Sequence, residues 1–276
     1  MKSINCKGKL IDLSTPRVMG ILNLTPDSFY DGGKLTSDKD IISQVEKMLN
    51  DGVTFLDLGG YSSRPGAAFV SEKEELKRVL PVVSLILKEF PEALLSIDTF
   101  RSNIAKQCIE EGAALINDIS GGNMDDHMFE IIAELQVPYI MMHMRGTPET
   151  MMEDTEYKDI TQELLFYFSE KTAKAKTQGI NDFIVDLGFG FSKTIDQNFE
   201  LLSNLELFKS LDAPLLVGVS RKSMIYKTLN ISPKDALNGT TSLNTIALIK
   251  GASILRVHDV KEAIECINLM QNLKSH

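Results

Sequence analysis

The segment LLSIDTFRSNIAKQCIEEGAALINDIS (94–120) holds two short apolar runs, LLSID (94–98) and LINDIS (115–120), separated by a longer stretch. Near-continuous apolar runs of this length are typical of parallel strands that helices cover on both faces. The intervening residues 102–111 predict a helix. The segment is therefore expected to form one strand–helix–strand unit.

The same alternation continues in both directions along the chain. The further apolar runs are VMGILNL (18–24), FLDLGG (55–60), YIMMHM (139–144), FIVDLGFG (183–190), LLVGVS (215–220) and ILRVHD (254–259). Helices are predicted over 38–51, 72–89, 125–136, 159–178, 196–210, 233–250 and 260–273. Eight alternations predict an α/β fold, a (β/α)₈ TIM barrel, with a doubly wound open sheet as the alternative. Residues 3–13 predict an N-terminal β-hairpin, and residues 1–276 are expected to form a single domain.

Composition excludes several classes of protein. With 29 Lys and Arg against 38 Asp and Glu, the net charge of −9 argues against a nucleic-acid binder, which needs a basic surface. No apolar run reaches the length of about 20 residues that a membrane span requires, and the N-terminal residues lack the pattern of a signal peptide. Cys6, Cys108 and Cys266 are dispersed, which predicts inert or buried thiols in a cytoplasmic protein. The acidic segments 72–75 and 153–159 are expected to be solvated.

A polar residue lies near the carboxyl end of each apolar run. These residues are Asn23, Asp57, Asp98, Asn117, His143, Asp186, Ser220 and His258. In a barrel these ends converge on one face, where the following loops build the active site. One such residue could simply mark a strand leaving the core, but eight together favour a shared site. The pattern therefore predicts an enzyme with carboxylates on several walls of its pocket.

Three of these side chains suit a nitrogen heterocycle. Asp98 and Asp186 can accept hydrogen bonds from a ring N–H and an exocyclic amine, and the amide of Asn117 can both donate and accept. The alternative for Asp98 is that it caps the following helix, because Asp is a favoured N-cap residue. His143 is interpreted as a structural histidine more readily than as a catalyst.

Basic residues cluster after the last two runs. Ser220-Arg221-Lys222-Ser223 follows the seventh run, and Arg256 lies inside the eighth. The loops after strands 7 and 8 of such barrels frequently bind phosphate. An arginine within an apolar run is costly to bury without an anionic partner. An anionic ligand is therefore favoured for Arg256, with Asp259 as the alternative partner.

Two early loops, 25–33 and 59–66, are rich in turn residues but also carry carboxylates, an aromatic residue and an arginine. Loops of this kind can close over a substrate, whereas plain connecting turns are the alternative. GFGFSK (188–193) matches neither a dinucleotide-binding fingerprint nor a Walker loop, so it is not interpreted as a nucleotide motif.

Taken together, these segments resemble the dihydropteroate synthase family. The matching motifs are NLTPDSFYDGG, SSRPG, SIDT, NDISGG, MHMRG, DLGFGFSK, GVSRKS and RVHDV, in this order over residues 20–260. The resemblance implies a transferase of folate biosynthesis that joins 4-aminobenzoate to (7,8-dihydropterin-6-yl)methyl diphosphate, releasing diphosphate. It also implies a homodimer. Dissociative substitution at the pterin methylene carbon is the expected mechanism.

The resemblance also assigns roles to individual residues. The candidate catalytic residues are Asp98, Asp186, Lys222, Asp27 and Asp31. Pterin diphosphate would contact Ser63, Asp98, Asn117, Asp186, Lys222, Arg256, Val257 and His258. The 4-aminobenzoate site would contain Phe29, Arg64, Pro65 and Ser223. Asn23 would bind the Mg²⁺ that accompanies the diphosphate.

The chain departs from the family pattern at two positions. Leu187 replaces a usual proline, and Tyr61 replaces a usual glutamate, which leaves the polar contacts of the second loop open. Two alternative functions share the pterin pocket. One is a folate-dependent methyltransferase domain, which usually works beside a corrinoid module, and the other is a pterin-binding subunit without turnover.

Overall fold

The protein is described by a computed structural model, which covers residues 3–24, 37–61 and 69–274. In this part of the chain eight parallel strands close into a barrel, preceded by a two-stranded hairpin. The strands are β1 Ser3–Cys6, β2 Lys9–Asp12, β3 Arg17–Asn23, β4 Phe55–Gly59, β5 Leu95–Asp98, β6 Leu115–Asp118, β7 Tyr139–Met142, β8 Phe183–Asp186, β9 Leu215–Val217 and β10 Ile254–Val257. The helices are α1 Asp38–Asn50, α2 Glu72–Glu89, α3 Ser102–Glu110, α4 Met128–Leu135, α5 Ile160–Thr177, α6 Ile195–Ser203, α7 Ser223–Tyr226, α8 Leu237–Lys250 and α9 Val260–Lys274.

The strand order is β10-β3-β4-β5-β6-β7-β8-β9, and the ends of this sheet join each other. Strand β10 pairs in parallel with both β9 and β3, with Ile254 opposite Leu216 on one side and Arg17 on the other. The predicted barrel is therefore confirmed, and the open-sheet alternative is wrong.

The hairpin β1–β2 closes the amino-terminal end of the barrel. Its buried side chains, such as Ile4 and Cys6, pack on inward-facing residues at the beginnings of the strands. These inward residues are Met19, Phe55, Leu115, Ile140, Ile184, Leu216 and Ile254. The backbone N–H of Asn5 also donates to Asp182 Oδ2 at 3.0 Å, just before β8 begins. The predicted hairpin is thus confirmed, and it lies opposite the face where the strands end.

The helices cover the outside of the barrel. Helix α1 illustrates why they form: Ser37 and Asp40 make a reciprocal capping box, and Ile41, Val45 and Met48 are buried along one stripe. A second, larger apolar cluster lies between the helices and the outward-facing strand residues. The inward and outward alternation of each strand therefore sends every second side chain toward the barrel axis.

Two predicted helices are interrupted. The segment 196–210 is divided at Asn204 into α6 and the 3₁₀ helix Leu205–Leu211, and the Asn204 amide donates to Thr161 Oγ1 at 3.1 Å. Likewise, 233–250 begins with the short 3₁₀ helix Pro233–Asp235 before α8.

The three cysteines are buried and free, as predicted. Burial raises the pKa of both Cys6 and Cys108 to about 12. Since the thiolate is the reactive form, these thiols are expected to be inert. No helix in the described ranges combines the length and apolar character needed to cross a membrane.

Candidate active site

A guanidinium bound by two carboxylates lies at the carboxyl-terminal mouth of the barrel. Arg256 of β10 donates from Nε to Asp57 Oδ2 of β4 at 2.6 Å, and from Nη2 to Asp98 Oδ2 of β5 at 2.8 Å. Asn117 of β6 donates from Nδ2 to the same Asp57 oxygen at 3.1 Å. Four strand residues far apart in sequence therefore form one polar network, because each faces the barrel axis.

Burial and charge set the protonation of this network. Burial raises the pKa of Asp98 to about 7, although Arg256 opposes the shift. Burial also raises the pKa of Asp186, and Lys222 opposes that shift. The N–H of Gly188 donates to Asp186 Oδ1 at 2.8 Å, which fixes the carboxylate. The mouth thus presents carboxylates that can accept hydrogen bonds beside two cations.

Lys222 immediately precedes helix α7 and turns back over the mouth. Its Nζ donates to the carbonyl oxygen of Phe189 and lies 4.8 Å from the ring centroid of Phe191. Burial lowers the pKa of Lys222 to about 8, while the charge of Asp186 opposes the shift. The ammonium is therefore placed between the loops that follow β8 and β9.

The remaining predicted contacts lie around this centre. His258 Nδ1 and Ser220 Oγ are 3.0 Å apart, Ser223 begins α7, and Asn23 ends β3. Val257 is fully buried in the outer core, so its side chain faces the helices and a ligand could reach only its main chain. Asp27, Phe29, Asp31, Ser63, Arg64 and Pro65 lie outside the described residues.

The alternative partner given for Arg256, Asp259, needs correction, because Asp259 pairs with Arg221. Arg221 does not face the mouth: it forms a two-pronged ion pair with Asp259 at 2.9 Å through Nε and at 2.9 Å through Nη2. Asp259 is therefore not the partner of Arg256. Since Asp57 and Asp98 already compensate Arg256, its burial alone does not require an anionic ligand.

A buried Lys–His pair supports the loops after β7 and β8, and sequence reasoning missed it. Lys193 Nζ lies 3.1 Å from His143 Nδ1 and donates to the carbonyl oxygens of Gly188 at 3.1 Å and Phe191 at 2.9 Å. Gly188 has a φ of +70°, and a β-carbon there would collide with the carbonyl oxygen of His143. Lys193 is the last residue of the GFGFSK segment, and these contacts support a structural role for Lys193 and the structural interpretation of His143.

A further buried ion pair, between Arg101 and Glu75, lies beside Val70. Arg101 pairs with Glu75, which also accepts from Thr99 Oγ1 at 2.7 Å, and Arg101 donates to the carbonyl oxygen of Val70 at 2.6 Å. Tyr61 packs against Phe100 with ring centroids 5.3 Å apart. Glu75 is completely buried, so the expectation that 72–75 is solvated is wrong at this residue.

The departure from the family pattern at Leu187 leaves the carboxylate of Asp186 in place. Leu187 is buried in the outer core, while the backbone bond from Gly188 still holds Asp186. The capping alternative for Asp98 is also wrong, because the N-cap residue of α3 is Arg101. Among the described residues, no group of three or more His, Cys, Asp or Glu side chains could hold a metal ion by itself.

This arrangement can bind the polar edge of a heterocycle and an anion side by side. Carboxylates, an amide and Lys222 line one part of the mouth, while Arg256 and His258 supply donors to the other. Comparison with known proteins agrees with such a ligand. A family model described as "Pterin binding enzyme" matches residues 19–258.

Named relatives make the relationship specific. The chain is 44% identical to dihydropteroate synthase of Escherichia coli strain K12 over 267 residues, 96% of this chain and 94% of the relative. A crystal structure of Yersinia pestis dihydropteroate synthase with a sulfonamide drug complex superposes with a TM-score of 0.95 at 39% identity, over 99% of this chain and 100% of the other. The Xanthomonas albilineans enzyme with 4-aminobenzoic acid gives 0.92 at 33% identity, over 100% and 99%. The chain therefore belongs to the dihydropteroate synthase family of pterin-binding transferases.

Proposed function

We propose that the mouth of this barrel condenses (7,8-dihydropterin-6-yl)methyl diphosphate with 4-aminobenzoate, giving 7,8-dihydropteroate and diphosphate. The observation that carries the proposal is the adjacency of two kinds of group. Asp98, Asn117 and Asp186 are acceptors for an amino-heterocycle, and Arg256 lies within 2.8 Å of Asp98. A substrate that joins a pterin to a diphosphate through one methylene group needs this combination of acceptors and cation.

The pterin would bind against the carboxylates. A carboxylate accepts hydrogen bonds from a ring N–H and an exocyclic amine together, and an amide such as Asn117 can complete the polar edge. Lys222, held by the carbonyl of Phe189, would donate to a ring acceptor. Asp186, fixed by the N–H of Gly188, would keep its orientation as the ligand enters.

The diphosphate would lie toward Arg256 and His258. Both residues come from the last strand and the loop that follows it, a frequent phosphate-binding position in these barrels. Asn23, opposite Gly59 at the end of β3, has an amide oxygen suited to Mg²⁺, which commonly takes one or two protein oxygens together with substrate phosphates. When bound, Mg²⁺ would neutralise charge on the diphosphate oxygens.

Catalysis would then proceed by dissociative substitution. The bond between the methylene carbon and the diphosphate oxygen breaks, and the diphosphate leaves with the electron pair, stabilised by Arg256 and His258. The positive charge that develops on the methylene-pterin is stabilised by Asp98 and Asp186. The aryl amine attacks the methylene carbon and afterwards loses a proton to solvent, since its low basicity makes general-base activation a minor contribution.

A coupled assay for diphosphate release tests the proposal. Turnover should require both pterin diphosphate and 4-aminobenzoate and should fall when Mg²⁺ is chelated. Asp186→Asn should lower kcat at least 100-fold, and near-wild-type turnover would refute the pterin assignment. Steady-state diphosphate release that 4-aminobenzoate does not accelerate, or no release with both substrates, would contradict the proposed reaction.

The resemblance supports two further proposals. We expect a homodimer, which sedimentation velocity at several protein concentrations would test. We also expect a cytoplasmic location, which fractionation of cells followed by immunodetection would test.

A further inference from the structure

Asp57 is a buried carboxylate that the family resemblance leaves without a role. It lies in the middle of β4, two residues after the inward-facing Phe55, and its residue is 1% exposed. Its Oδ2 accepts from both Arg256 Nε and Asn117 Nδ2. Both donors are expected to touch pterin diphosphate, so one oxygen atom connects two ligand-contacting side chains.

The two carboxylates that bind Arg256 differ in accessibility. The Asp57 side chain is 0% exposed, whereas the Asp98 side chain is 15% exposed and that of Arg256 is 20% exposed. Asp98 is therefore accessible to a ligand that competes for Nη2, whereas Asp57 is shielded from direct contact with a ligand at the mouth. The Nε bond is also the shorter of the two, at 2.6 Å against 2.8 Å.

We propose that Asp57 is a positioning residue. It keeps its hydrogen bond to Arg256 Nε while Nη2 of the same arginine exchanges its bond to Asp98 for a bond to the diphosphate. In this exchange Asp98 becomes available to the pterin and Arg256 becomes available to the anion. An arginine fixed at one edge loses less freedom when it binds a phosphate, because its fork is already oriented. The inference rests on the proposed function, since it needs the pterin diphosphate as ligand.

The test is a double-mutant cycle on the affinity for pterin diphosphate, measured by isothermal titration calorimetry without 4-aminobenzoate. Asp57→Asn should weaken binding at least tenfold in the wild-type background. In an Arg256→Met background the same change should weaken binding less than threefold, because the side chain that Asp57 positions is gone. An equal factor in both backgrounds, or wild-type affinity in Asp57→Asn, would overturn the inference.

Ser96→Ala is the matched control. Ser96 lies opposite Asp57 in the β4–β5 register and is fully buried, and its hydroxyl makes no hydrogen bond within the described residues. This variant should bind pterin diphosphate within twofold of wild type. A tenfold loss in Ser96→Ala as well would show that any change in this layer of the barrel weakens binding, and it too would overturn the inference.

A crystal structure of the wild-type protein with inorganic diphosphate avoids dependence on a variant that does not fold. The bond from Arg256 Nε to Asp57 should persist, whereas Nη2 should contact diphosphate instead of Asp98. Loss of the Asp57 bond with diphosphate present would contradict the positioning role. Failure of the proposed function itself is distinguishable, because then the wild-type protein would either not bind pterin diphosphate or bind it without releasing diphosphate in the coupled assay, whereas failure of the inference leaves both wild-type properties intact.

Discussion

Lys193 Nζ lies 3.1 Å from His143 Nδ1, although both side chains are almost completely buried. Two bases in contact can share this space only if at most one carries a full charge. Burial lowers the pKa of Lys193 well below its usual value, and it lowers the pKa of His143 to about 2. The pair therefore stabilises the loops after β7 and β8 as a set of hydrogen bonds and not as an ion pair.

Lys193→Met should destabilise the protein by about 2–3 kcal/mol, because a buried carbonyl such as that of Phe191 would lose its donor. Urea unfolding followed by circular dichroism measures the free energy of unfolding. Lys227→Met, at an exposed position, is the control and should change it by less than about 0.5 kcal/mol. Equal effects of the two substitutions would refute the structural role of Lys193.

His143 should make stability depend on pH. The folded protein keeps this ring neutral, whereas the unfolded chain binds a proton below the ordinary pKa of 6.5. The unfolded state thus holds more protons between these values, so the free energy of unfolding falls as pH falls. This difference of up to one proton should lower the free energy of unfolding by about 2 kcal/mol between pH 6.5 and pH 5. His143→Gln should lose this component of the pH dependence in urea titrations, and an unchanged slope would contradict the assignment.

Asp98 should give the pH–activity profile an acidic limb, in which activity falls as pH falls. With a pKa of about 7, its carboxyl group is protonated at lower pH, so it loses its charge and one of its two oxygens can no longer accept from the pterin ring. We expect kcat/KM for pterin diphosphate to rise with pH and to level off above about 7. Asp98→Asn should be at least 100-fold less active and should lack this limb. If the variant keeps the same limb, the titration belongs to another group or to the substrate.

The buried pair Arg101–Glu75 should be strongly coupled. Burial raises the pKa of Glu75, and Thr99 and Arg101 oppose the shift. Arg101→Met would leave a buried carboxylate uncompensated and should cost about 3–5 kcal/mol of unfolding free energy. Adding Glu75→Gln should restore part of this loss.

The exposed pair Lys106–Glu134 is the comparison for this cycle, because its side chains are 36% and 59% exposed. Lys106→Met should cost less than about 1 kcal/mol. Additive losses in the Arg101 and Glu75 variants would show that the two residues act independently.

The barrel and the polar ends of its strands could be predicted because both depend on local patterns. Apolar runs such as LLSID end in Asp98, and the structure places that carboxylate at the mouth. The partners of Arg256 could not be predicted in the same way. Asp57 and Asp98 lie 199 and 158 positions away, and only the closure of the barrel brings them together.

The errors also have physical causes. A charged first turn such as 72–75 is typical of a solvated helix end, and nothing local shows that Arg101 covers Glu75. Lys193 ends the glycine-rich segment GFGFSK, which matches no ligand-binding fingerprint, and its partners come from the turn itself and from the residue after β7. Side chains that satisfy buried backbone groups are therefore the ones that sequence patterns identify least well.

The hairpin β1–β2 seals the end of the barrel far from the polar network. Because the described residues close the barrel at this end, both substrates and both products of the proposed reaction would enter and leave at the opposite end, where the strands finish. In the proposed reaction the pterin ring would contact Asp98 and Asn117 at the ends of β5 and β6, and the aryl amine would approach the methylene carbon from the open end. Substrate entry and product release at this one end would therefore affect each catalytic cycle, in addition to the bond-making step.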